Sequence, residues 1–124
     1  MKIMILAYET ADEFAKRDLA GTDAAAFEAY MKPWYVYSEM LQKTGKFLAG
    51  AALEQPHTAT MLSVRDGKRQ IEDGPYADAK EQLGGYFILD APDMKTAKEW
   101  AAACPSSETG RAEIHLIPNY DGEA

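Results

Sequence analysis

Hydrophobic and polar positions divide the chain into strand-like and helix-like stretches. Lys2 to Tyr8 places Ile, Met and Leu at successive positions and reads as a first strand, apolar on both faces. Glu9 to Asp23 is polar and holds the breaker Gly21, so it predicts a loop with at most a short helical turn around Asp12 to Lys16. Thr22 or Asp23 can cap a helix that begins at Ala24, its side-chain oxygen accepting from a free backbone N–H. Phe27, Met31, Trp34 and Leu41 then recur at helical spacing, with Tyr30 and Tyr37 alongside, so one face is apolar. Pro33 lacks a backbone donor and predicts a kink or a division near Lys32. Gly45 marks the C-terminal stop.

Phe47 to Leu53 reads as a second strand, closely packed because it is rich in Ala and Gly. Gln55-Pro56 is a turn. Thr58 to Arg65 and Lys68 to Glu72 flank Asp66-Gly67, a strong hairpin signal. Gly84 to Asp90 is a further strand. Pro92-Asp93 opens a second helix with Asp93 as its cap and Ala97, Trp100, Ala101 and Cys104 as its buried stripe, and Pro105 ends it. Ser106 to Gly110 reads as a loop, Arg111 to Ile117 as the last strand, and residues 119–124 as a polar tail behind a single domain of residues 1–118.

This order predicts an α+β fold: a ferredoxin-like antiparallel sheet with two main helices on one face. Two helices cover only one face, yet the strands are apolar on both. Ile3, Ile5 and Ala7 oppose Met4 and Leu6, and Phe87 and Leu89 oppose Tyr86 and Ile88. A sheet with one wet face should alternate apolar with polar. The second face therefore needs a cover, and a second copy of the chain is the simplest one.

Composition narrows the functional classes. The net charge of −7 argues against a nucleic-acid or anionic-membrane surface. No run approaches the ~20 apolar residues of a membrane span, and no small-residue cleavage site follows the short first strand, so a cytoplasmic protein is expected. Cys104 is the single cysteine, which rules out an intrachain disulfide framework and a thiolate metal cluster.

The stretch with the most chemistry runs from Asp73-Gly74-Pro75-Tyr76 through Asp78, Lys80 and Glu81 to Gly84-Gly85 and the strand Tyr86 to Leu89. A rigid turn, a charged loop and two glycines that permit close backbone approach lead into a buried strand. This run resembles the Asp-Gly-Pro-Phe motif of the YCII-related proteins, with Tyr76 in place of the usual Phe. The likeness extends over nearly the whole chain. It implies a dimeric α+β barrel, and distant relatives with such barrels include cofactor-independent enzymes. The wider family often places a His near the start of the first helix. Here that segment is Ala24-Ala25-Ala26-Phe27-Glu28, which leaves Glu28 as the one titratable group there.

Asp73 reads either as a turn-capping acceptor or as an acid or base in a pocket beside the sheet. Lys80 reads either as half of a solvated pair with Glu81 or as the group that stabilises a developing oxyanion. Tyr76, Gly84 and Gly85 are the expected ligand contacts. Gly84 and Gly85 do not form a phosphate loop; close packing or a bulge is their plainer role. His57 and His115 have no metal-ligand spacing, so neither a metal nor another cofactor is expected. Cys104 on a buried stripe is expected to be inert.

Two readings stay open on these residues. One is an enzyme moving a proton on a small organic molecule, with Asp73 as acid or base and Lys80 as charge stabiliser. The other is a non-catalytic homodimeric module that binds a metabolite or a protein.

Overall fold

Alternation in the first strand organises the molecule. The structure, a computed structural model, describes residues 1–74 and 79–120. In β1 (Lys2–Thr10), Ile3, Ile5, Ala7 and Glu9 are buried, while Met4, Leu6, Tyr8 and Thr10 are half-buried on the other face. A short helix α1 (Ala11–Ala15) and a 3₁₀ segment (Lys16–Gly21) follow, then the long helix α2 (Ala24–Lys43). After β2 (Phe47–Ala52) come the hairpin β3 (Thr60–Arg65) and β4 (Lys68–Asp73), then β5 (Glu81–Asp90), α3 (Met94–Ala102), α4 (Ser106–Thr109) and β6 (Arg111–Leu116).

The main sheet has the order β2-β5-β1-β6 with every neighbour antiparallel, and β3-β4 is a separate two-stranded sheet. Two β-α-β units therefore interleave, each setting its second strand one place away from its first. Register puts Ile3 beside Leu89 and Leu116, and Ile5 beside Phe87 and Ile114. On this face Tyr37 and Leu41 of α2 and Ala97 and Ala101 of α3 close the core, so both main helices cover the same side of the sheet. The other side carries Met4, Leu6, Tyr86 and Ile88, none of them fully buried.

Local chemistry sets the element ends. Asp23 accepts the Ala26 N–H at 3.1 Å and Asp93 accepts that of Thr96 at 2.8 Å, each satisfying a free donor at a helix start. Asp66 (φ 52°) and Gly67 (φ 75°) form the two-residue turn whose twist suits a hairpin. Thr44 caps the C-terminus of α2, and Gly45 (φ 71°) lets the chain leave it.

Several expectations change. Pro33 does not divide α2, which runs unbroken through it. The buried stripe of α2 is Tyr30, Tyr37 and Leu41, whereas Phe27, Met31 and Trp34 are half-buried. Ser106 to Thr109 form a helical turn where a loop was expected, tied by Ser106 Oγ to the Arg111 carbonyl at 3.0 Å. Glu9 and Thr10 extend β1 instead of opening a loop. The motif residues Pro75, Tyr76 and Asp78, and the tail residues 121–124, lie outside the described residues. Among the described residues, no helix is long and apolar enough to cross a membrane.

Candidate functional site

Glu9 occupies the fourth inward position of β1, where the three before it are apolar, and only 2% of it is exposed. A carboxylate there is tolerated only with partners, since removing a charge from water costs far more than a single hydrogen bond returns. Arg17 supplies the first. The turn from β1 through α1 into the 3₁₀ segment carries it back over the strand end, and Nη2 lies 2.7 Å from Glu9 Oε2. Tyr30 supplies the second: its hydroxyl donates to Glu9 Oε1 at 2.5 Å. Arg17 Nε in turn donates to the Tyr30 oxygen at 3.2 Å, which closes a three-membered cluster.

Arg17 also binds backbone. Nη1 donates to the Leu53 carbonyl just past β2, and Nη2 to the Gly84 carbonyl in β5 at 3.2 Å. Four of the guanidinium's N–H groups are thus engaged by protein acceptors. The guanidinium carbon lies over the buried Phe14 ring, 4.7 Å from the centroid. One side chain joins β1, β2, β5 and α2 at one end of the sheet.

Burial works against the Arg17 charge, but the hydrogen bonds and charges of Tyr30 and Glu9 outweigh it, and the pKa is raised. Burial, then the hydrogen bond to Glu9, pushes the Tyr30 phenol up to about 12, with Arg17 opposing in part. Tyr30 is therefore a neutral phenol at neutral pH, set between Glu9 and the Arg17 guanidinium.

Gly84 makes room for it. Opposite Ala7 stands Gly85 and opposite Tyr8 stands Leu83, so Gly84 sits in a bulge of β5. A Cβ on Gly84 would lie 2.6 Å from Glu9 Oε2 and 3.1 Å from Arg17 Nη2. On Gly85 it would lie 3.1 Å from the Ala51 carbonyl of β2. Both roles expected of the glycine pair, bulge and close approach, are present.

Two cavities flank α2. The first, of about 630 Å³, lies between α2, the 3₁₀ segment, β2 and β5. Its helix wall is Phe27, Met31 and Trp34, its sheet wall includes Phe47 and Phe87, and Gly84 and Gly85 lie along it. Arg17 and Tyr30 stand at its polar end. The second, of about 770 Å³, opens on the other side of α2 towards α4, with Glu9, Cys104 and Ser106 in its wall. Tyr30 borders both.

The residues expected from the motif separate here. Gly84 and Gly85 line the first cavity. Asp73 is exposed at the last position of β4, opposite Thr60, and Lys80 is exposed just before β5; neither lines either cavity. Tyr76 is outside the described residues. Glu28 lies on the exposed side of α2. His115 is exposed on β6, 3.1 Å from Glu113, and His57 is exposed in a short turn. Among the described residues no three His, Cys, Asp or Glu side chains are grouped to hold a metal ion. Cys104 is buried against Ser106, and burial raises its thiol pKa.

Glu9, Arg17 and Tyr30 escaped the motif reading. The available signal was parity: Glu9 continues the series Ile3, Ile5, Ala7, so an unbroken strand carries it inward.

The chain is similar to an uncharacterized protein of Rhizobium meliloti (strain 1021), 27% identical over 111 residues that span 88% of this chain and 77% of that protein. It also resembles the solved structure of a 5-chloro-2-hydroxyhydroquinone dehydrochlorinase from Burkholderia phenoliruptrix, determined with 2,5-dihydroxybenzoquinone. The TM-score is 0.46 at 16% identity, covering 95% of this chain and 94% of that one. The model of the YCII-related domain matches residues 1–119, nearly the whole length, and the chain belongs to that family.

Proposed function

We propose that the chain is a cofactor-independent enzyme that moves a proton on a small organic molecule bound in the cavity between α2 and the sheet. The observation that carries this reading is the cluster in the cavity wall: a buried carboxylate bonded to a phenol that itself borders the cavity. A phenol whose pKa is near 12 does not ionise at neutral pH, so Tyr30 acts as a relay. A proton leaves the substrate for the Tyr30 oxygen while the Tyr30 proton passes to Glu9 Oε1. The bonding pair stays on the substrate, Tyr30 remains neutral throughout, and Arg17 faces the negative charge that develops.

Asp73 and Lys80 keep a place in the proposal as exposed motif groups that act on a part of the ligand reaching out of the cavity. The non-catalytic alternative also has an observation in its favour. Arg17 is engaged by protein acceptors on four N–H groups, which suits a rigid wall as well as a reacting one.

We also propose that the sheet, ferredoxin-like in its order, pairs through its open face with a second copy to make a dimeric α+β barrel. Met4, Leu6, Tyr86 and Ile88 lie on that face, opposite to the helices and the cavity. Sedimentation should give twice 13.7 kDa; a stable monomer at micromolar concentration would refute the pairing.

Catalysis is tested by soaking hits from a thermal-shift screen with the protein in deuterated water and following C–H exchange by NMR. Tyr30→Phe should keep binding and lose exchange. Exchange at the parent rate in Tyr30→Phe would exclude the relay, and binding without exchange in the parent would select the module.

A further inference from the structure

We infer that the first cavity takes a ligand with a cationic, hydrogen-bond-donating head, an organic ammonium on an apolar body, in preference to an anion. The inference rests on the cavity being the binding site and adds which chemistry fits it.

The polar end of the cavity was built for acceptors. Among the described residues Arg17 is the only cation in its lining, and Glu9 cancels that charge at 2.7 Å. The hydroxyl of Tyr30 is turned away as a donor, because its proton goes to Glu9. Gln55 has its orientation settled by chemistry: Nε2 donates to the Phe14 carbonyl at 2.8 Å and to Asp18 Oδ1 at 3.1 Å. A carbonyl can only accept, so the amide cannot flip, and Oε1 remains as an acceptor.

Two carboxylates share this end. Asp18 follows Arg17 in the chain and receives Gln55, and Glu54 follows Leu53, whose carbonyl Arg17 binds. Both line the cavity, and neither is in an ion pair among the described residues. An anion entering here meets two uncompensated negative charges and few free donors. An ammonium meets two carboxylates, the Gln55 oxygen and aromatic walls whose faces attract cations. The apolar body then lies between Trp34 on the helix side and Phe47 and Phe87 on the sheet side.

The test uses three probes of one shape: benzylammonium, benzyl alcohol and benzoate, titrated at low salt and neutral pH against the full chain, with the Trp34 indole signal as readout. Benzylammonium should bind on the order of tenfold tighter than benzoate and lose most of that margin in high salt. The exposed pair Asp18→Asn with Glu54→Gln should remove the preference, leaving benzylammonium no tighter than benzyl alcohol. Benzoate or benzyl alcohol binding as tightly as benzylammonium would overturn the charge selection and leave the cavity reading standing. Failure of all three to move the Trp34 signal at millimolar concentration would overturn the cavity reading itself, and this inference with it.

Discussion

The Gly84 backbone passes so close to Glu9 that a methyl group on it would sit 2.6 Å from Oε2. A glycine at the start of a buried strand and an acid eight residues from the chain start are thereby one feature. The bulge and the missing side chain create the space in which the Glu9–Arg17 pair is seated. Gly84→Ala should therefore destabilise by about 1–3 kcal/mol, the usual cost of forcing extra atoms into a packed site. Gly21→Ala is the control, because nothing lies within 4 Å of its Cβ position. Urea denaturation of the two variants decides it; equal midpoints would mean that the cluster does not depend on Gly84.

Arg17 and Glu9 should behave as a unit. Arg17→Met strands a buried carboxylate and should cost about 3–5 kcal/mol, because the charge left behind has no cation. The double variant Arg17→Met with Glu9→Gln removes both charges and should lose less than the sum of the single changes. A coupling above about 1 kcal/mol in the cycle is expected. Additivity within about 0.5 kcal/mol would show that the two sites act independently.

What could be read from sequence was the local chemistry. Asp23 and Asp93 cap their helices through neighbours three residues away, and Asp66-Gly67 turns within its own hairpin. Ile3 and Ile5 share one face of their strand by parity, although the sequence leaves both faces apolar and does not say which one the helices cover. The site escaped because its parts meet across the fold: Glu9 needs Arg17 from the next turn, Tyr30 from a helix and the empty place at Gly84. A charged residue at the end of an apolar strand reads as an exit to solvent until those partners are in place. The glycine pair signalled close approach without naming what approached. The aromatic run of α2 looked like one stripe, but Tyr37 faces the core while Tyr30 and Trp34 line the first cavity.

Tyrosine burial has a consequence in alkali. The Tyr30 phenol is raised from 10.0 to about 12 in the folded chain, and burial pushes Tyr37 up as well. The unfolded chain ionises first, so the stability these phenols contribute is complete below pH 10.0 and is lost as the pH rises towards the folded value. Melting temperature should fall across that interval, and Tyr30→Phe should fall less steeply than the parent. A spectroscopic titration of tyrosinate should show a late step missing in the variant. An identical alkaline slope in both would place the effect elsewhere.

Asp73 and Lys80 on one side and the buried cluster on the other can be separated by substitution. Asp73 and Lys80 are exposed, so Asp73→Asn and Lys80→Met should leave melting within about 0.5 kcal/mol of the parent, as surface changes do. If the cavity holds the ligand, both variants keep its affinity, and Trp34→Ala, which cuts back the cavity's helix wall, loses it. If Asp73 and Lys80 carry the chemistry, binding persists in both variants but exchange of the ligand's proton with solvent stops. Tyr30→Phe gives the opposite assignment when it alone stops exchange. Measuring affinity and exchange on the same four variants assigns the proton transfer to Tyr30 with Glu9 or to Asp73 with Lys80. Unchanged exchange in all four would remove both groups from the reaction.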